Sequence, residues 1–454
     1  MLNTLYLPEL REMLANEDHR GLKDFCEALN PTRAAEFMGG LTADETWQVL
    51  MHSDIEIRVD IFSYLDPDKK VAILEHHDLE QVAELITELP PDDSVDLLQD
   101  IDEKRRERLL QSVPIEERRD IQRLSQYPEA TAGAVMTTEI AKLGEGLSIR
   151  SALEDLGRQI EDYETIYYLY IVDEEDRLRG IVSARQLLAG MRQPETKLSD
   201  IMRSDIVTVD VLEDQESVAD KVAKMDLLAI PVVDNQHKLL GIITHDDVID
   251  VVREEATEDA HRIGAVDPLD ESYLRTSIMT LTWKRGIWLA ILFFFALITA
   301  FALEEYKTVI DKWLWLMAFI PLVISSGGNS GSQSATLIIT ALSRGHISVG
   351  DWVRVVTREL LMGLLLGTAL GLMGYVASLF IIPNDPAIGM WAMVVIPGTL
   401  LAVVVCGTLT GSILPILFEK IGWDPAMMST PFVAGIVDIF GILIYVNLAL
   451  LVLD

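Results

Sequence analysis

The sequence predicts a multidomain chain: an all-α superhelical N-domain, a duplicated α+β module, and an all-α transmembrane domain of five helices. Three observations carry this. Charge splits the chain, with 61 Asp+Glu against 29 Lys+Arg in residues 1–275 and 10 against 8 in residues 276–454, out of a net −34. Apolar segments recur about every 12 residues before residue 130. Five long apolar stretches follow Trp283.

Within residues 1–130 the repeated units include LDPDKKVAILEHH, DLEQVAELITELP, PDDSVDLLQDID, EKRRERLLQSVP and IEERRDIQRLSQ. Each opens on a polar or proline-containing start signal and continues as an apolar periodic segment. A unit this short cannot bury its apolar face alone, so the units should stack as a superhelix. Asp92, Asp93 and Asp96 fall at the start of one unit. Acids there favour the helix macrodipole, which accounts for one aspartate better than for three. His76 and His77 have no further His or Cys at ligand spacing, so zinc is disfavoured.

The acidic excess argues against nucleic acid, whose phosphates need basic partners. It suits cations as ligands, with plain solubility as the alternative. Cys26 and Cys406 lie in different halves and indicate no disulfide framework. The N-terminus MLNTLYLPELREMLANEDHR lacks a basic stretch followed by an apolar core. No signal peptide is therefore expected, and the acidic part should stay in the cytoplasm.

Residues 131–253 hold a duplication: Val172-Asp173 and Gly180 in one copy correspond to Val233-Asp234 and Gly241 in the other, 61 residues on. Each copy reads as strand, helix, two strands joined by an Asp-containing turn, and helix. This resembles a tandem pair of CBS (cystathionine-β-synthase-type) domains, whose pairs sense nucleotides or ions. The resemblance implies a ribose-binding Asp three residues after the Ser/Thr of the last strand. Thr244 and Asp247 match it, whereas the first copy has Ser183 and Gln186. Adenine-nucleotide binding (ATP) is thereby left open in the second copy and weakened in the first.

Residues 254–280 are expected to form a connecting helix. Asp247, Asp250, Glu254 and Glu258 recur at helical spacing and share a face. Like charges so spaced destabilise an isolated helix by a few tenths of a kcal/mol per pair. A solvated linker is the ordinary meaning of such a run. Its entry into the first span adds a coupling role.

The membrane domain, 281–454, is expected to span at about 286–303, 313–342, 353–382, 388–418 and 427–453. Each stretch is near or above the roughly 20 residues a spanning helix needs. Lys284, Arg285, Arg344, Arg354 and Arg358 mark one side; Glu304, Glu305, Asp311, Asn384 and Asp385 mark the other. The positive-inside rule then puts the N-terminus in the cytoplasm and the C-terminus outside. The second stretch contains PLVISSGGNSGSQSAT, too polar to face lipid. Its Gly328, Asn329, Gly331 and Gln333 are read as lining a pore or cavity. Gly363, Gly367, Gly371 and Gly374 form a small-residue packing face on the third. Pro397 and Pro415 are expected kink points in the fourth. Asp438 stands alone within MMSTPFVAGIVDIFGILIYVNLALLVL. A carboxylate at that depth costs roughly 2.5–3.5 kcal/mol on insertion scales, so it faces a bundle interior or an aqueous path.

The domain order, PLVISSGGNSGSQSAT and DPAMMSTPFVAGIVDIFGILIY together resemble the bacterial MgtE magnesium transporter/channel family over essentially the full length. That resemblance implies a homodimer in the bacterial cytoplasmic (inner) membrane with a pore on its two-fold axis. It implies that Asp438 and the Ala434 carbonyl bind hydrated Mg2+. It further implies that Asp60, Asp92, Asp96, Glu216, Asp226, Asp247, Asp250, Glu255, Glu258 and Asp259 share magnesium ions in the cytoplasmic part. Thr430 departs from the glycine that many members carry before the Pro-Phe.

Physical chemistry agrees, because magnesium takes oxygen ligands and sheds water reluctantly. A pair of symmetry-related carboxylates can hold the ion hydrated. Each state-selective ion contributes about 2.7 kcal/mol at a hundredfold excess over Kd, so several can supply the roughly 5.5 kcal/mol that throws a gate from 1:99 to 99:1. The expected function is magnesium import closed by cytoplasmic magnesium. The alternative is a CBS-gated carrier for another divalent cation or small solute, regulated by adenine nucleotide. An enzyme is not expected, since no Ser/His/Asp, Walker-type or metal-hydrolase constellation appears.

Overall fold

The structure, a computed structural model, describes residues 6–159, 163–269, 273–382 and 391–453. It divides into two compact units, Met1–Arg253 and Glu254–Asp454.

Ten short helices open the first unit: α1 (Leu7–Ala15), α2 (His19–Ala28), α3 (Pro31–Phe37), α4 (Ala43–Leu50), α5 (Ile55–Ser63), α6 (Pro67–His76), α7 (Leu79–Glu88), α8 (Pro91–Gln99), α9 (Glu103–Ser112) and α10 (Ile115–Leu124). Every start lies twelve residues after the last, so the repeat seen in five units runs through all ten. The period is kept by its punctuation. Asp18, Asn30, Thr42, Asp78 and Asp102 each precede a helix and accept a backbone N–H of its first turn. Helices two units apart pack together (α2 on α4, α3 on α5, α4 on α6, α5 on α7, α7 on α9, α8 on α10), which gives a two-layer stack. Its core, including Leu22, Trp47, Phe62, Leu74 and Leu85, continues into Val218, Ile230, Ile243 and Val251 of the duplicated module.

The first copy of that module comprises α11 (Ala132–Val135), β1 (Ile140–Gly144), α12 (Ile149–Gln159), β2 (Thr165–Val172), β3 (Leu178–Ser183) and α13 (Ala184–Gly190). The second comprises α14 (Leu198–Ile201), β4 (Val209–Asp210), α15 (Gln215–Met225), β5 (Ala229–Val233), β6 (Leu239–Thr244) and α16 (His245–Ile263). Each sheet has a parallel pair and then an antiparallel hairpin, in orders β1-β2-β3 and β4-β5-β6. Asp173 and Asp234 close the hairpins alike, each accepting N–H bonds from the residues two and four ahead. The copies exchange edges: Thr137 bridges to Ile242, and Arg203 to Ile181. That exchange explains the paired glycines. A Cβ on Gly180 would stand 2.5 Å from Met202 Sδ, and one on Gly241 2.6 Å from Met136 Sδ.

The connecting helix differs from expectation. It is the second half of α16, uninterrupted at residue 254, and ends at Ile263 rather than near 280. Ala265 adopts φ +57° and Val266 N–H returns to the His261 carbonyl, a left-handed stop that Pro268 then enforces.

Five long helices follow: α17 (Ile278–Glu305), then the short α18 (Lys307–Lys312), α19 (Leu316–Ser343), α20 (Trp352–Ile381), α21 (Ala392–Lys420) and α22 (Thr430–Leu453). Asn384, Asp385 and the start of the fourth predicted stretch lie outside the described residues. Four of the five are long and apolar enough to cross a membrane; α19, with its polar run, is long enough at 28 residues, about 42 Å, but less apolar. α21 is the hub, packing on α19, α20 and α22, while α17 touches α22 through Phe295 and Phe432. The glycine row of α20 is buried on α21, as its spacing predicts. Gly407 and Gly411 let α21 meet the α19 backbone at the carbonyls of Gly327 and Gly331, where any Cβ would collide.

Candidate cation sites

Asp438 lies eight residues into α22, about 12 Å from its start. Its half-buried carboxylate crosses Gly328 of α19: a Cβ added there would stand 3.3 Å from Oδ1 and 3.4 Å from the Ala434 Cβ. Burial of Gly328 thus seats the carboxylate. Among the described residues no group hydrogen-bonds to it. Asn329 and Gln333 are exposed on α19 and align with Ser325 and Thr336 into one polar face, with Asn329 Nδ2 donating to Ser325 Oγ at 3.2 Å. Gly331 corrects the sequence reading. It is buried against Val433, Val437 and the Gly407 carbonyl, so it packs helices and lines nothing. Asp438 and Ala434 lie one turn apart on α22.

A second group of acids gathers in the first unit, where α8 meets α16. Asp92, Asp93, Asp246, Asp247, Asp250 and Glu164 bear on one another electrostatically, with the Lys70 ammonium opposing Asp93 and Asp250. Loss of solvation first, and neighbouring carboxylates next, push Asp247 up to about 6 and Glu164 up to about 7. Burial, Asp247 and Asp93 hold Asp92 well above the ordinary carboxylate range. Asp92 Oδ1 is shut off from solvent with no hydrogen-bond partner. An orphaned carboxylate oxygen amid acids fits a hydrated or directly bound cation. Glu164 was not foreseen from the sequence.

The Thr244–Asp247 pair is closed on itself. Asp247 Oδ2 accepts the Thr244 N–H at 3.1 Å and lies 2.6 Å from its hydroxyl, capping α16. Asp60, Asp96, Glu216 and Asp226 stand exposed on α5, on α8 and at the two ends of α15. Among the described residues no three His, Cys, Asp or Glu converge closely enough to wrap one ion.

A third constellation lies in the second unit, at the end of α16. Arg262 pairs with Glu258 and with Asp424, on the loop that leads into α22. Burial and then Asp424 push the Asp259 carboxyl up, against a hydrogen bond from Ser343. Thr430 donates through Oγ1 to the Ile263 carbonyl at 3.2 Å, taking up a carbonyl that the helix end leaves free. Glu255 sits half-buried one turn earlier. Asp424, in a connection that reads as nearly neutral, is the residue the sequence did not flag. Arg262→Ala leaves three acids without their shared cation. We expect trypsin to cut after Arg275 several-fold faster with α19–α22 still folded; an unchanged rate would reduce the pair to a surface contact.

The profile of the family described as "Divalent cation transporter" (MgtE) matches residues 320–448. That of the "MgtE intracellular N domain" matches 29–130, and that of the CBS domain 132–192 and 198–254. The chain is 38% identical over 340 residues to "Magnesium transporter MgtE" of Thermus thermophilus, spanning 74% of this chain and 73% of that one. It is 34% identical to its counterpart in Enterococcus faecalis, over 74% and 72%. Its fold also matches the "cytosolic domain of the Mg2+ channel MgtE in complex with ATP", at TM-score 0.50 and 33% identity, covering 53% of this chain and 98% of that one. Helix bundle and duplicated module together define an integral membrane transport protein carrying a CBS pair. The chain belongs to the MgtE family of divalent cation transporters.

Proposed function

We propose that this protein conducts magnesium into the cytoplasm as a homodimer in the bacterial cytoplasmic membrane, and that cytoplasmic magnesium closes it. The observation that carries the route is Asp438, a carboxylate without a partner among the described residues, held at the edge of the polar face of α19. Two such faces across a two-fold axis make a ring of carboxylate, amide and hydroxyl oxygens around a hydrated ion. The relatives' names supply magnesium as the ion.

Closure rests on the acids of the first unit and of α16. Without divalent ions Asp92, Asp93, Asp247, Asp250 and Glu164 repel one another; a bridging cation draws their elements together and favours one arrangement of the unit. We assign Asp247 to this cation site and not to ribose. Its Oδ2 already caps α16, and the acids around it would repel a polyphosphate. ATP, bound to the related cytosolic domain, would therefore use other surfaces of the CBS pair. Asp60, Asp96, Glu216, Asp226, Glu255, Glu258 and Asp259 are proposed to hold further ions jointly with other elements or the partner subunit.

The direct test uses purified protein in liposomes loaded with a magnesium-sensitive dye. Inward flux down an imposed gradient is expected, falling at least about tenfold when the face carrying the acidic unit is bathed in millimolar magnesium. Absence of flux, or flux indifferent to that magnesium, overturns the reading.

A further inference from the structure

Besides Asp438, one acidic residue lies more than a turn inside any of the five long helices. It is Glu359, seven residues into α20 and about 10 Å from its start. The proposed route makes no use of it. A carboxyl group at such depth is costly and is kept where it has partners and a task.

Its partners come from two other helices. Ser334 of α19, 4% exposed, donates through Oγ to Glu359 Oε2 at 2.6 Å. Thr408 of α21 lies with its hydroxyl 3.2 Å from the Glu359 carbonyl. One turn before Ser334, the buried Ser330 reaches the Val404 carbonyl of α21 at 3.4 Å. Ser330 and Ser334 occupy a different face of α19 from the exposed Ser325, Asn329 and Gln333. The helix is thus braced on two sides, by Asp438 crossing Gly328 and by Glu359 on Ser334.

We propose that Glu359 is a positioning residue: through Ser334 it fixes the rotation of α19, and so aims Asn329 and Gln333 and sets the Gly328 seat of Asp438. This rests on the reading of that face as the cation's route. A residue needed only for folding would lower the amount of working protein and leave the ion's apparent affinity alone. A residue that aims the polar face changes the affinity.

The test is flux against magnesium concentration in liposomes, for the full chain and for Glu359→Ala, Ser334→Ala, Glu359→Gln and Asp438→Ala. Glu359→Ala and Ser334→Ala are expected to raise the half-saturating concentration about fivefold or more, the scale of one lost hydrogen bond, with maximal flux per folded protein within about twofold. Glu359→Gln keeps an oxygen for Ser334 and should restore the wild-type half-saturation. Unchanged half-saturation in the alanine variants, or a glutamine variant as impaired as alanine, overturns the proposal. If Asp438→Ala conducts like wild type, the route itself fails, and that result is separable from the other two.

Discussion

Asp438→Ala should cut magnesium flux at least about a hundredfold and at the same time leave the protein as stable as wild type, or more so. The two halves of that expectation have one origin. A divalent ion about 5 Å from one carboxylate gains about 7 kcal/mol at an effective dielectric of 20, before desolvation. A hundredfold loss is about 2.7 kcal/mol, well within what survives that cost. Stability should move the other way. A half-buried carboxylate with no hydrogen-bond partner among the described residues is a cost to the fold, roughly 2.5–3.5 kcal/mol on insertion scales. A structural acid bonded to a neighbour would behave oppositely, because its removal orphans that neighbour. Flux in liposomes and thermal melting in detergent, measured on the same preparation, separate the cases. Asp438→Asn refines them: it keeps the shape and loses the charge, and should follow alanine in flux. Loss of stability with flux intact would return Asp438 to a structural role.

What the sequence discloses here depends on whether a feature is local. The ten helices of the N-domain are written every twelve residues in caps such as Asp18, Thr42, Asp78 and Asp102, each of which acts within its own turn. Gly180 and Gly241 stand in register because the same methionine contact recurs in both copies. Azimuth within a helix that is polar on more than one side is not local. The run around Gly328 contains residues facing α21, α22 and the outside of the bundle, and composition could not separate Gly331, which packs, from Asn329 and Gln333, which are exposed. Pairings across long separations are hidden for the same reason: Arg262 with Asp424 spans 162 residues, and Ser334 with Glu359 joins two helices. Glu164 reaches the acids of α8 and α16 only through the fold of the CBS pair.

The second large effect lies in those acids. In a chelator, the stability of residues 1–253 should fall as pH rises from about 4 towards 7. Asp247 and Glu164 have folded-state values near 6 and 7, above those of the unfolded chain. Below both values the two states are equally protonated. Between them the native state keeps protons that the unfolded chain has released, so raising the pH favours unfolding. Magnesium should reverse this at pH 7.5 by taking the place of the protons: at a hundredfold excess over Kd it adds about 2.7 kcal/mol per site, or about 5–10 °C in melting temperature for a unit of this size. Residues 1–253 form a compact unit of their own, and it is the melting of this unit that is followed. Asp92→Asn with Asp247→Asn should flatten both responses, since it replaces two carboxylates that bear on each other with amides that neither titrate nor carry charge. In the full chain the same double variant should conduct at millimolar magnesium, where the proposed closure would shut wild type. A wild-type unit whose melting temperature ignores magnesium, or a double variant that responds as wild type does, would place the sensor elsewhere among the acids of the chain.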